Sequence, residues 1–214
     1  MRRGLSDSVD QSYPVPTLEA PDPDAAAQRA TARPLMFLNQ WLANPLRMGS
    51  VVPSSPALCR RVVSAAWPAP GKAVLELGAG TGVISRALLA AGLPRSRLVV
   101  VEIEPSMAAH LRACLRGVEV LEGDARDLLR LLPERWHGRI GSVVCGIPLV
   151  LLPKTEQRRF IDAMAAVAPG RGFLHYSYCV TSPLPARAHG LQARREAWVA
   201  LNFPPASLWR YLAR

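Results

Sequence analysis

The chain has 214 residues, half of them hydrophobic, and a formal net charge of +10, which fits a single domain with a sizeable core and a surface that attracts nucleic acid or anionic lipid headgroups. Its four cysteines, Cys59, Cys114, Cys145 and Cys179, lack C-x-x-C spacing; nothing in them points to a zinc site or a disulfide framework, reduced thiols are expected, and no metal is expected. The uncharged run of 14 residues between Arg139 and Lys154 contains glycine and prolines and is too short to span a bilayer.

Residues 1–28 are polar and carry Pro14, Pro16, Pro21 and Pro23, so they read as a disordered or extended arm. Arg2 and Arg3 are not followed by an apolar stretch, so no signal peptide is expected. The protein should be cytoplasmic, or peripheral on the inner face of the cytoplasmic membrane. Asp7, Asp10, Glu19, Asp22 and Asp24 fall in the arm, which leaves the remainder more basic than the total charge suggests. Only Lys72 and Lys154 are lysines; a GC-rich genome favours arginine, so that preference is discounted as a binding signal.

Residues 29–70 form a second segment of N-terminal helices. Pro34 to Ala43 reads as an amphipathic helix started by proline and ended by Asn44-Pro45. Leu35, Leu38 and Leu42 share a face that Phe37 and Trp41 widen, and Arg29, Arg33 and Arg47 flank it. Such a helix either packs over a ligand pocket or dips into lipid headgroups while arginines hold phosphates, and it can do both. Ser54 or Ser55 can cap the next helix, Pro56 to Ala66, or line a ligand.

Residues 71–214 form the third and main segment. Val74-Leu75-Glu76-Leu77 is a buried strand that runs into Gly78-Ala79-Gly80-Thr81-Gly82 and then a helix, Val83 to Ala91. A dinucleotide fingerprint would read G-x-G-x-x-G. Here the spacing is G-x-G-x-G with Glu76 two residues earlier, which is not that fingerprint. Leu98 to Glu102 is a second buried strand ending in an acid placed to bond ribose hydroxyls; Glu104 is the nearby alternative. After a helix from Pro105 to Arg116, a strand leads to Gly123-Asp124-Ala125. By itself Asp124 reads as the cap of a helix from Ala125 to Leu132.

A fourth strand, Ile140 to Cys145, runs into Gly146-Ile147-Pro148-Leu149, the loop where an acceptor should sit; the alternative is a buried crossover. Lys154 to Ala168 is a helix, and Gly172 to Val180 is the fifth strand. Tyr176 and Tyr178 share one of its faces and offer an aromatic wall for a cationic amine, or serve as core or edge residues. His175 points the other way and reads as structural. A terminal hairpin, Ala197 to Leu201 and Ser207 to Leu212, turns at Asn202-Phe203-Pro204-Pro205.

The glycine turn with Glu76, the acid Glu102 and the Gly-Asp-Ala of Asp124 and Ala125 resemble the motifs of the class I S-adenosylmethionine-dependent methyltransferases. That likeness implies an α/β, Rossmann-like fold with a seven-stranded, mostly parallel sheet and a reversed C-terminal hairpin. It also implies cofactor contacts from Ser54, Ser55, Glu76, Gly78, Gly80, Gly82, Glu102, Asp124 and Ala125, with Asp124 as the acceptor for an adenine amino group, the alternative to its role as a cap. Gly49 to Ser55, the Gly-Ile-Pro-Leu loop, the Tyr-Ser-Tyr strand and the Asn-Phe-Pro-Pro turn, with the N-terminal helix, narrow the resemblance. Together they look like the bacterial phospholipid N-methyltransferases of the phosphatidylethanolamine type. Adenine and amide methylases usually carry Asn or Asp, then x-Pro, then an aromatic at the acceptor loop; Gly146 and Leu149 replace these here.

The resemblance implies stepwise methylation of phosphatidylethanolamine to phosphatidylcholine on a membrane surface. Gly146, Ile147, Pro148 and Tyr178 would act at the reacting amine, and Arg33, Trp41, Arg47 and Tyr176 would bind substrate. The expected partners are S-adenosylmethionine and a bilayer containing phosphatidylethanolamine and anionic lipid, without nucleic acid. Another aminolipid such as ornithine lipid, an adenine in ribosomal RNA, or a non-catalytic membrane-binding role are the alternatives.

Overall fold

The computed structural model describes residues 54–214. The arm over 1–28 and the amphipathic helix over 34–43, with Arg33, Trp41 and Arg47, lie outside the described residues. Helix α1 (Pro56–Ala66) follows the expected bounds: Pro56 opens it, the Ser55 hydroxyl accepts from the Leu58 N–H, and Leu58, Cys59, Val62 and Ala66 form its buried stripe. Then come β1 (Ala73–Leu77), α2 (Val83–Ala90), β2 (Leu98–Glu102), α3 (Pro105–Cys114), β3 (Glu119–Glu122) and α4 (Leu128–Leu131). The second half holds β4 (Ile140–Cys145), α5 (Lys154–Val167), β5 (Phe173–Ser177), β6 (Leu191–Val199) and β7 (Ala206–Ala213).

The strands form one sheet in the order β3-β2-β1-β4-β5-β7-β6. β1 to β5 pair in parallel, and β7 runs antiparallel between β5 and β6. The expected α/β, Rossmann-like sheet with a reversed C-terminal strand is present. Both faces are covered, which is why the central strands are apolar without alternation. On one face Leu75, Leu77, Val99 and Val143 meet Phe160, Ile161 and Met164 of α5. On the other, Val74, Val100 and Val144 meet Leu58 and Val62 of α1, Ile84 and Leu88 of α2, and Leu111 of α3.

Three expectations need correction. The helix read over 125–132 is a 3-10 turn, Ala125–Asp127, followed by the single turn of α4, because the Asp124 carboxylate draws in the Arg126 N–H at 2.9 Å. β5 stops at Ser177, where the Ser207 hydroxyl donates to the Ser177 and Cys179 carbonyls at 3.3 and 2.7 Å; Tyr178 therefore sits past the strand. β6 begins at Leu191, six residues before the expected Ala197, and Gln192, Ala193, Arg194 and Arg195 are exposed on this edge strand. Among the described residues no helix is long and apolar enough to cross a membrane, and no cluster of ligating side chains is placed to hold a metal.

Candidate active site

Parallel strands deliver their carboxyl ends to one edge of the sheet, and backbone bonds from glycines tie those ends together. Gly78 N–H donates to Val101 O at 2.9 Å, Gly123 N–H to Glu102 O at 3.0 Å, and Gly146 N–H to Leu77 O at 2.8 Å. A cleft opens above them. It is lined by Gly78, Glu102, Ile103, Gly123, Asp124 and Ala125 on one side and by Gly146, Ile147, Pro148 and Phe160 on the other. Seven of the residues singled out in the sequence thus meet in one place.

Glu102 is the centre of the first side. It is 1 % exposed, and its carboxylate accepts three backbone N–H groups: Gly80 at 2.9 Å, Ile103 at 3.0 Å and Glu104 at 3.2 Å. It therefore shapes the glycine turn as well as facing the cleft, and Gly80 reaches the site through it. The other candidate acid, Glu104, caps α3 through the Met107 N–H at 2.8 Å. Gly78 has φ +66°, and a Cβ on it would stand 2.8 Å from Ile147 Cγ1. The turn needs glycine there twice over, for its backbone angle and for its contact with the acceptor loop.

Asp124 is the cap that was one of its two expected roles, and its position leaves the other open. It lines the cleft, and it caps the 3-10 turn while pairing with Arg126, which also bonds Glu156 at 2.5 Å. Burial alone would raise the Asp124 pKa; the Arg126 guanidinium and N–H hold it below the ordinary carboxylate value. The Arg126 guanidinium lies 5.8 Å from the centre of the Phe160 ring, so the charged triad and the apolar wall are built as one unit.

Other expected cofactor residues stand elsewhere. Alternation along β1 places Glu76 on the α1 and α2 side of the sheet, near Tyr176, and its carboxyl accepts from the Ser85 hydroxyl at 2.5 Å. Burial pushes its pKa up to about 7, with Ser85 opposing and Glu102 adding to the rise. Gly82 closes the turn before α2, beneath Leu111. Ser54 lies on a shallow groove between α1 and α2. Ser55 is engaged twice: its hydroxyl caps α1, and its N–H donates to Asn202 Oδ1 at 2.8 Å.

The acceptor side is mostly apolar. A Cβ on Gly146 would fall 2.6 Å from the Tyr176 hydroxyl and 2.7 Å from the Gly78 carbonyl. The space that an amide or carboxylate side chain would need is filled, and what fills it is a phenol oxygen from the next strand. Tyr176 and Tyr178 both pack on the α1-side core, and the Tyr176 hydroxyl is the one that meets Gly146. Burial first, and the nearby Glu76 second, raise the Tyr176 pKa, which keeps the phenol protonated. His175 is buried behind the loop and donates from Nδ1 to Cys145 O at 2.9 Å; burial lowers its pKa to about 4.

The loop has a brace that the sequence reading passed over. Gln157 of α5 is buried and donates to Leu149 O at 3.1 Å and Leu152 O at 3.0 Å, while its oxygen takes His189 at 2.9 Å. The available signal was a polar residue on the apolar stripe Gln157, Phe160, Ile161, Met164.

Residues 74–172 match the family model described as a methyltransferase domain. The ornithine lipid N-methyltransferase of Singulisphaera acidiphila is 36% identical over 140 residues, covering 64% of this chain and 73% of that protein. Among solved structures, the precorrin-6y C5,15-methyltransferase of Geobacter metallireducens superposes with a TM-score of 0.55 at 15% identity, over 72% of this chain and 88% of that one. The 23S rRNA methyltransferase ErmE does so with a TM-score of 0.52 at 18% identity, over 75% and 68%. Those two likenesses concern the fold.

Proposed function

The chain belongs to the class I S-adenosylmethionine-dependent methyltransferases, and we propose that it N-methylates the amine of an aminolipid headgroup at a membrane surface. Ornithine lipid is the first substrate and phosphatidylethanolamine the second. The observation that carries this reading is the Gly146–Tyr176 contact. With no room for an amide at 146, the site lacks the acceptor that would grip a planar ring nitrogen. It offers instead one neutral hydroxyl in an apolar loop, which suits a flexible primary amine on an apolar body. The 36% identity to an ornithine lipid N-methyltransferase supports the choice of first substrate.

The cleft fits the cofactor. Glu102 and Asp124 are the acids suited to ribose hydroxyls and an adenine amino group, and the Gly78–Gly80 turn admits a close backbone approach. S-adenosylmethionine supplies a methyl group activated by a positively charged sulfur. The chain's own residues supply position and dryness. Ile147 and Pro148 exclude water, which disfavours the ammonium form of an entering amine. The Tyr176 oxygen then accepts an N–H and leaves the nitrogen lone pair unshared. Because its pKa is raised, Tyr176 orients the amine and takes no proton from it; the proton leaves to water as the amine enters. Orientation of this kind is worth up to roughly 7–11 kcal/mol.

Purified protein incubated with methyl-labelled S-adenosylmethionine and vesicles of ornithine lipid or phosphatidylethanolamine, with and without anionic lipid, tests the proposal. Label is expected in methylated ornithine lipid. Label in phosphatidylethanolamine instead would keep the class and change the substrate. No label in either lipid, with cofactor binding intact, overturns the reading, and label in added RNA would replace it.

A further inference from the structure

Leu201 and Phe203 are the two most exposed large apolar side chains among the described residues, at 84% and 81%. They stand at the tip of the β6–β7 hairpin. The pairing of Ser177 with Ser207 and of Val199 with Ala206 puts that tip beyond the carboxyl end of β5. This is the edge where Gly78, Glu102 and Gly146 form the cleft. Trp198, on the approach to the tip, is also exposed, as are Val150 and Leu151 in the acceptor loop.

The tip is built to show these residues. Between Leu201 and Phe203, Asn202 is 1% exposed. Its amide donates to Pro204 O at 2.7 Å and its oxygen accepts the Ser55 N–H at 2.8 Å. A buried side chain thus pins the turn to the start of α1 and leaves the residues on either side pointing away from the fold. Residues 197–209 carry no charge. Arg60 and Arg61 are exposed on α1, about 8 Å along the helix from the Ser55 anchor at 1.5 Å per residue, and residues 54–66 contain no acid. An uncharged apolar tip with arginines one to two turns behind it matches the layering of an anionic bilayer surface, acyl boundary first and phosphates above.

We infer that the β6–β7 tip, Leu201 to Phe203, inserts into an anionic membrane surface and sets the mouth of the acceptor cleft on it. The inference rests on the aminolipid reading. Insertion at this point holds the Gly146–Tyr176 end of the cleft against the headgroup layer, so an amine reaches it while its acyl chains stay in the bilayer.

The test is co-sedimentation of the full chain with vesicles of equal parts phosphatidylcholine and phosphatidylglycerol. The double variant Leu201→Ser, Phe203→Ser should bind more weakly by about tenfold for each side chain withdrawn from the lipid. Phe203→Trp should bind as well as the native chain, since tryptophan favours this boundary. Arg60→Gln with Arg61→Gln should weaken binding severalfold on these vesicles and leave neutral vesicles unaffected. Methyl transfer to a dispersed short-chain aminolipid should be unchanged in the double variant, while transfer to vesicles falls. Equal vesicle binding by the double variant and the native chain overturns the inference. So does a lower melting temperature of that variant in lipid-free buffer, which would mean the tip is covered by the chain itself, or a changed sedimentation coefficient there, which would mean it is covered by a second copy. A native chain that binds vesicles through the tip but labels no aminolipid would sink the functional proposal and leave the docking surface standing.

Discussion

At the carboxyl ends of β1, β2 and β3 the polar groups of the site meet one another; at those of β4 and β5 a single hydroxyl meets apolar surface. The first region is a closed network. Glu102 holds three backbone N–H groups, and Asp124 is gripped by Arg126, which is gripped by Glu156. Such a network fixes acids where a polar cofactor needs them, because each buried charge is already paired. The second region fixes shape: Gly146 against Tyr176 and Gly78 against Ile147. A cofactor with charges and hydroxyls is held by matched polar groups, whereas an amine that must arrive without its proton is better served by a dry wall and one oriented oxygen.

The largest break in this comparison is Glu102→Ala. It leaves the N–H groups of Gly80, Ile103 and Glu104 without their acceptor, each costing about 1–3 kcal/mol if buried. Cofactor affinity by calorimetry should fall by more than about a hundredfold. A loss under tenfold would mean that the turn holds its shape without this acid. Next is Gly146→Ala. The added methyl would press on the Tyr176 hydroxyl and on a backbone carbonyl that is slow to yield. Methyl transfer should fall by about a hundredfold, the effect of a 1 Å misplacement, with cofactor affinity changed far less. Equal losses in both would erase the distinction between the two regions.

Tyr176→Phe sharpens the comparison. It removes one oxygen and keeps the wall, so kcat should fall by about tenfold, the value of one modest hydrogen bond, while cofactor affinity stays put. Tyr178→Phe, the residue favoured from sequence, should have the smaller effect. If the order is reversed, the amine is held past the strand end and the Gly146 contact is only packing.

The two regions also differ in how far they could be read in advance. Glu76, Glu102 and Asp124 were legible because each stands at or just past the carboxyl end of its own strand, so local pattern fixes position. The Gly146–Tyr176 contact links residues that only the register of β4 on β5 brings together, Cys145 beside His175. Nothing local announces it. Glu76 stands where the motif puts it, and its bond to Ser85 of α2 is the partner that motif reading did not supply. The start of β6 was missed because an exposed edge strand carrying Gln192, Arg194 and Arg195 has no apolar period to find. The Asn202–Ser55 bond spans 147 residues, beyond any pattern.

The smallest predicted effect concerns Glu76, the acid buried in β1 beside Ser85. Its folded pKa, about 7, lies above the ordinary value of 4.5, so the folded state binds its proton more tightly than the unfolded chain. The resulting stability is fully present below pH 4.5 and is lost as pH rises through 7. His175 works in the opposite sense: its pKa near 4, below the usual 6.5, gives stability that is present above pH 6.5 and lost as pH falls through 4. The two slopes oppose each other between pH 4.5 and 6.5, and the native melting temperature should change little there. Glu76→Gln keeps an acceptor for the Ser85 hydroxyl and removes the titration. At pH 8 it should be more stable than the native chain by about 1–3 kcal/mol, a rise of several degrees for a domain of this size. At pH 4.5 the two should melt together. A native-like melting temperature at pH 8 would mean that the carboxylate is solvated where it sits, and that Glu76 is open to the cleft.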